Sequence, residues 1–484
     1  MKVNYKNLNY DAPLLSALLS LLIFIAIPIS LFLVAFEWGD SVERQAVIGV
    51  GVISLSFIAI KREKYYLLIL AFLFLSQFSI SLRTFELSPP ERLSLHLFDL
   101  VLFLLVWTAV ERKEKWSFDG LARLFVVFII WEIAATLNSA HFDRSLVHTH
   151  WLIKYLLIYL IALNMPFAEK INNKIPLAVT IILVMQALLG MLQYVRGDVL
   201  GLSILGEASG ASLNFVGESL RISGTAGGTN SYAGYMAMLL VFLAPFMVVQ
   251  KKIFYYGVFS LGCVALLLSF SRAGWLSLIV GVNIVLILLL YNKLIRFTRI
   301  LMFAIFISAV IAGLMYAYTD QIMERFTSDE AISSAKTRII YSDQAFEAIS
   351  DYPIFGIGPG ITQYFGRWND FQEYVRNELP SINLDNQVHN GHLQIWMEGG
   401  VPAFILWSAI ILYAVFSLNK TTGNYKNNQV VSLLKIGSGA AAIAVLLHIS
   451  FGTEINNYRI MAVFWFLLGL NRNIQSIQTD NKAS

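Results

Sequence analysis

Apolar runs of about twenty residues recur along this chain, with short polar loops between them. The first, LLSALLSLLIFIAIPISLFLVAFEW, follows MKVNYKNLNYDAP. It is longer than the core of a secretory leader and lacks an obvious small-residue cleavage site, so it reads as a retained span. Composition agrees: 57% of the residues are hydrophobic and 14% charged, with mean hydropathy +0.66. A soluble chain carries roughly 25% charged residues, because a water-facing surface needs polar cover. Lipid on the outside removes that need.

Spans are expected near 13–35, 46–60, 65–82, 95–110, 121–138, 149–164, 175–193, 229–249, 253–270, 273–291, 299–318, 392–416, 432–449 and 457–471. The expected fold is therefore all-α and polytopic, with about 14 transmembrane helices of about 20 residues each. Basic short loops mark the cytoplasmic face. With the N-terminus inside, that face receives Lys61, Arg62 and Lys64, the run ERKEK, Lys170 and Lys174, Lys251 and Lys252, Lys293, Arg296 and Arg299, and later Lys420 and Lys426. An even count then leaves both termini cytoplasmic.

The expected organisation is N-terminal transmembrane helices over 1–193, an outer loop over 194–228, further helices over 229–318, a large extracytoplasmic loop domain over 319–391, C-terminal helices over 392–471, and a cytoplasmic tail over 472–484 that ends in a disordered-looking QTDNKAS. In the large loop, TRIIYSDQAFEAIS is helix-like and ends at DYPIFGIGPG, where Pro353, Gly356, Gly358 and Gly360 enforce a turn. Net charge is only +4 and gives no reason to expect nucleic acid. Cys263 is the one cysteine, so no disulfide forms within the chain and no thiolate or zinc chemistry is suggested.

Polar residues at membrane depth are functional candidates, because they cost energy there. Ser271-Arg272-Ala273-Gly274 lies between two apolar runs, as a tight turn at the outer surface. The rigid five-donor guanidinium of Arg272 suits phosphate or pyrophosphate, though an arginine can also snorkel to the interface. In NQVHNGHLQIWMEGG, His389 and His392 stand at the mouth of span 392–416 and Glu398 about two turns deeper. A neutral histidine serves as a general base near pH 7. Two histidines and a carboxylate could also hold a metal, but the spacing matches no zinc motif. On a helix, Arg338 shares a face with Tyr341, Ser342, Ala345 and Phe346, which fixes neither burial nor a partner; Arg325, Arg367 and Arg376 of the same loop read as solvated. Arg221 precedes a Gly/Thr/Asn run whose backbone N–H groups could bind an anion, or which could be only a flexible cover. Asp99, Glu132, Lys154 and His448 sit within or near spans, and His148 and His150 stand at another outer mouth; some of these should pair inside the bundle.

Four of these segments together resemble the bacterial O-antigen ligase and polymerase family. SRAGW is similar to the family's serine-arginine turn. TRIIYSDQAFEAISDYPIFGIGPG is similar to its arginine, helix and Pro-x-x-Gly-x-Gly turn. VHNGHLQIWMEGGVPAFILW is similar to its His-Asn-x-x-Leu-Gln helix ending in Glu-x-Gly. RISGTAGGTNSYAGYMAM is similar to its Arg-x-x-Gly-Thr...Asn-x-x-Ala segment. The chain departs from the pattern at His392, a second titratable ring that leaves the base assignment open. The resemblance is strongest over roughly 215–410.

The resemblance implies a metal-independent, inverting glycosyltransferase without cofactor, of glycosyltransferase-C-like membrane architecture with a large outer loop. It places the enzyme in the cell inner membrane, in lipopolysaccharide or exopolysaccharide biosynthesis. The donor is an undecaprenyl-pyrophosphate-linked glycan, and the acceptor another glycan or lipid A-core. A polysaccharide chain-length regulator is a further expected partner. Arg272 and Arg338 would hold the pyrophosphate and His389 would be the base, giving a catalytic set of His389, Arg272 and Arg338. Arg221, Asn390, His392 and Glu398 would line the substrate. Fourteen spans and two sizeable outer loops tilt the expectation to a polymerase over a ligase. A polytopic glycolipid transporter is the alternative from another class, but the internal repeats and paired broken helices it calls for are not found.

Overall fold

The computed structural model describes residues 65–86, 92–111, 116–165, 169–210, 214–216, 219–250, 253–327, 329–362, 388–418 and 429–483. The chain divides into two compact units. The first comprises Met1–Phe72, Ser81–Phe85 and Ser94–Lys115. Helix α1 (Tyr65–Leu75) begins in it, and α2 (Leu97–Glu111) lies within it. Asp99 Oδ2 accepts from the His96 backbone N–H at 2.8 Å and lies 3.8 Å from His96 Nδ1, closing the start of α2.

The second unit carries the remaining helices: α3 (Gly120–Leu137), α4 (Phe142–Asn164), α5 (Glu169–Arg196), α6 (Thr229–Gln250), α7 (Ile253–Leu268), α8 (Arg272–Tyr291), α9 (Phe297–Ala317), α10 (Thr319–Thr327), α11 (Asp329–Asp351), α12 (Gly391–Leu418), α13 (Gln429–Ile449) and α14 (Tyr458–Ala483). Helix α6 is apolar all round, and its whole span is buried, as that pattern requires. It packs against α7, α8 and α13. Small residues permit the approach: a Cβ on Gly437 of α13 would lie 2.4 Å from the Phe242 carbonyl oxygen. On the other side α14 packs along α4, and α12 along α3. Trp465 of α14 stacks on Phe125 of α3 with ring centroids 4.1 Å apart.

Seven helices among the described residues are long and apolar enough to cross a membrane, not about fourteen. They are Gly120–Leu137, Phe142–Asn164, Asn173–Arg196, Thr229–Gln250, Arg272–Tyr291, Gly391–Phe416 and Gln429–Ile449. The chain is thus a multi-pass membrane protein, but the larger count fails for identifiable reasons. Over 65–82 the apolar helix covers only Tyr66–Leu75 before strand β1 (Ser81–Glu86) pairs with β2 (Arg92–His96). Over 95–110 and 253–270 the apolar helices are Leu97–Ala109 and Ile253–Leu268, both short. Helix α14 is long, but its apolar stretch is bounded by Arg459 and by Asn471-Arg472-Asn473. Helix α9 covers the expected 299–318 span but is not one of the seven. The expected spans 13–35 and 46–60 lie outside the described residues, as do Arg367 and Arg376. With the even count gone, the parity argument for two cytoplasmic termini also lapses.

Two smaller differences concern polar segments. Strands β3 (Phe215–Val216) and β4 (Ser219–Leu220) form an antiparallel hairpin, Phe215 opposite Leu220, just before Arg221. Helix α14 runs to Ala483, through most of the tail that reads as disordered.

Candidate active site

The α7–α8 turn is built to hold Arg272 at a helix start. Helix α7 ends at Leu268, and Phe270 takes a left-handed conformation with φ 49°. That conformation is costly for a bulky residue, and complete burial of the Phe270 ring holds it there. Ser271 caps α8, its hydroxyl accepting from the Gly274 N–H at 3.4 Å. Arg272 is the first helical residue.

Arg221 locks onto this turn from the β3–β4 hairpin. Its Nε donates to the Ser269 carbonyl at 3.0 Å and its Nη2 to Asn230 Oδ1 at 3.3 Å. Ser271 Oγ donates to the same Asn230 oxygen at 3.1 Å. His448 Nε2, at the end of α13, lies 3.0 Å from the Asn230 carbonyl. A carbonyl only accepts, so that nitrogen carries a proton. The same Nε2 lies 3.7 Å from Glu454 Oε1, and both side chains are buried. Gly234 makes room for the ring: a Cβ there would lie 2.4 Å from His448 Cδ2.

Arg338 and His389 reach this region from α11 and the start of α12. The inward face of α11 is Tyr341, Ala345, Ala348 and Ile349, packed with Val388, Leu393 and Met397. Arg338 continues that face one turn earlier, while Phe346, expected beside it, is half exposed. Asn390 is the N-cap of α12: its Oδ1 accepts from the backbone N–H groups of His392 at 3.0 Å and Leu393 at 3.1 Å. The cap fixes His389 just outside the helix, its ring 6.3 Å between centroids from Tyr341.

Electrostatics tie the group together. Burial and then Arg338 hold the His389 imidazole below its usual range, with Glu454 pulling the other way. Burial and then the neighbouring Arg272 lower Arg338. Burial raises the Glu454 carboxyl, but His448 outweighs it and Glu454 stays below the ordinary carboxylate value. The Arg338 Nε is buried without a hydrogen-bond partner among the described residues. At neutral pH the His389 imidazole is therefore uncharged, beside the Arg338 guanidinium, which in turn neighbours Arg272.

His392 and Glu398 stand apart from this cluster. The His392 ring is engaged at both nitrogens: Nδ1 accepts from Trp407 Nε1 at 2.9 Å, and Nε2 faces the Leu446 carbonyl and Ser450 Oγ, each at 3.1 Å. Glu398 Oε1 accepts from Thr362 Oγ1 at 2.6 Å and from Gln394 Nε2 at 3.0 Å. Its backbone belongs to a break in α12. Gly400 is non-helical at φ 72°, ψ −173°, and Pro402 has no N–H to offer. The freed carbonyls of Met397, Glu398 and Gly399 accept from Ile357 N at 3.1 Å, Gly358 N at 3.0 Å and Trp131 Nε1 at 2.7 Å. Val401 N in turn donates to the Pro353 carbonyl at 2.9 Å. The expected turn after α11 is thus clamped into the broken helix.

Residues 256–408 match the family model described as O-antigen ligase.

That match covers about a third of the chain, and the matched segment holds Arg272, Arg338, His389, Asn390, His392 and Glu398. Arg221 lies before it. No curated protein matches the chain. The match supports a membrane-embedded, glycan-handling enzyme and does not distinguish ligase from polymerase. Among the described residues, no group of three His, Cys, Asp or Glu side chains could hold a metal ion.

Two members of the cluster lie outside the residues expected from sequence. Glu454 was missed altogether. His448 stood out only as a buried histidine without an assigned partner. The signal was HISFGTEIN, which places a carboxylate six residues after a histidine at a span end. Two other deep groups resolve locally: Lys154 sits 4.1 Å over the Trp151 ring, and His150 Nδ1 contacts the Val147 carbonyl.

Proposed function

We propose that the protein transfers a glycan from a lipid pyrophosphate carrier to an acceptor hydroxyl, in the manner of an O-antigen ligase. The observation that carries this reading is the juxtaposition of Arg272, Arg338 and His389, drawn from three separate elements to one end of the helices. His389 takes the proton from the acceptor hydroxyl as its oxygen attacks the anomeric carbon. The bond from that carbon to the phosphate oxygen breaks, and negative charge grows on the departing pyrophosphate. Arg272 and Arg338 stabilise that charge where it develops. A single displacement of this kind inverts the anomeric centre. His392 is disfavoured as the base because both its nitrogens are engaged within the fold. Arg221 supports Arg272 by fixing the turn that presents it.

The cluster end is assigned to the outer face of the cytoplasmic membrane. Lys251 and Lys252 follow the other end of α6, and Lys293, Arg296 and Arg299 follow the other end of α8, as the cytoplasmic side requires. The donor is expected to be undecaprenyl-pyrophosphate-linked, and no nucleotide is needed there. Ligase is preferred to polymerase because the matched model carries that description and the fourteen-span ground for a polymerase is gone.

Purified protein given an undecaprenyl-pyrophosphate oligosaccharide, with and without lipid A-core, tests the reading. Product only with lipid A-core is the expected result. A ladder without it means polymerase. No turnover with either, alongside glycolipid movement in vesicles, would mean transport.

A further inference from the structure

A cavity of about 230 Å³ opens between α3, α4, α12 and α14. It shares the Glu454–Asn456 turn and the first turns of α12 with the cationic cluster, but none of the three proposed catalytic side chains lines it. Its walls are largely aromatic: Phe128, Trp151, Tyr155, Trp407 and Trp465. Glu132, Gln394, Glu398, Asn456 and His148 supply its polar groups.

Two of those groups hold acceptor oxygens without a partner among the described residues. Gln394 is 1% exposed and donates from Nε2 to Glu398 Oε1 and to Asn456 Oδ1 at 3.2 Å. Its Oε1 has no hydrogen-bond partner among the described residues. Glu132 is buried, and its carboxyl accepts no hydrogen bond from the described residues. A Cβ on Gly399 would lie 2.6 Å from Glu132 Oε1, so the absence of a side chain at Gly399 gives this carboxyl its room. A buried acceptor left unpaired costs about 1–3 kcal/mol. Such acceptors around a cavity call for a guest that donates hydrogen bonds.

The lining narrows the guest further. No lysine or arginine is among the described residues that line it, so the cavity is not a second pyrophosphate site. An apolar chain would leave Gln394 and Glu132 unpaired. A polyhydroxylated ring satisfies both demands, with C–H faces against the aromatic rings and O–H groups donated to the acceptors. We propose that this cavity binds one neutral or amino-substituted pyranose ring. The proposal rests on the transferase reading only for the source of that ring, a sugar of the glycan being transferred or extended.

Detergent-purified protein is titrated with glucose, galactose, rhamnose, glucosamine, N-acetylglucosamine and N-acetylgalactosamine while tryptophan emission is followed. At least one sugar should give a saturable change. Glu132→Leu and Trp151→Phe should each weaken it about tenfold, one hydrogen-bonded or stacked contact being lost. Glu132→Leu removes a buried carboxyl without a partner, so the variant should fold; Glu132→Gln keeps an acceptor and should recover part of the affinity. Farnesol serves as the apolar probe, and competition by farnesol would assign the cavity to a lipid chain and overturn the proposal. So would the absence of a saturable response to every sugar, or binding unchanged in both variants. A transfer assay on the same preparations keeps the readings separate. Wild-type transfer without sugar binding defeats the cavity assignment alone, and sugar binding without transfer defeats the transferase reading alone.

Discussion

His448 Nε2 faces Glu454 Oε1 across 3.7 Å, with both side chains almost fully enclosed. This pair joins the end of α13 to the turn before α14, and Glu454 acts on both His389 and Arg338. Glu454 raises the His389 imidazole, against the larger lowering by burial and Arg338.

Replacing Glu454 with Gln should lower stability by about 1–3 kcal/mol, read as a fall in Tm. The loss is smaller than for a fixed buried ion pair, because His448 can shed its proton. The folded Glu454 pKa lies below its ordinary 4.5. Its contribution is therefore complete above the unfolded value and fades as pH falls through the folded one. The wild-type Tm should drop on acidification below about pH 4.5, and Glu454→Gln should flatten that part of the curve.

The pH profile of transfer follows from His389. Its pKa lies below the usual 6.5, so activity should be level through neutrality and fall only on an acidic limb beneath 6.5. Glu454 raises this histidine, so Glu454→Gln should move the limb to still lower pH. A limb above 6.5 would assign the base elsewhere.

Arg272→Lys should reduce transfer about a hundredfold with normal expression and Tm, since an ammonium cannot reproduce a guanidinium fork. Full activity would return Arg272 to an interfacial anchor.

Gly400→Ala tests the clamp between the 353–360 turn and α12. A Cβ there would meet the Ile354 carbonyl oxygen at 2.1 Å, and the backbone is left-handed besides. Strain of about 1–3 kcal/mol adds to the clash, because this φ/ψ region is open only to glycine. Tm should fall, and the turn should become sensitive to limited proteolysis.

Much of the cluster was readable because local rules carried it. The glycine-rich turn after α11 follows from residue types within a few positions; the Ser271 and Asn390 caps obey equally local rules but were not read from the sequence. Hydrophobic runs also located the seven long spans. Runs alone could not tell a crossing helix from the short apolar helices at Leu97–Ala109 and Ile253–Leu268. The break at Gly400 was hidden for a different reason: its freed carbonyls are satisfied by Trp131 and by the turn at 357–358, partners remote in sequence. Glu454 and the cavity around Gln394 depend likewise on helices distant along the chain.

The most direct measurement is glycan transfer by His389→Ala, assayed with undecaprenyl-pyrophosphate oligosaccharide and lipid A-core in detergent of matched composition. Wild type should turn over, and His389→Ala should lose about 10²–10⁴-fold at unchanged Tm, as expected for removal of a general base. Transfer at the wild-type rate by His389→Ala would contradict the account.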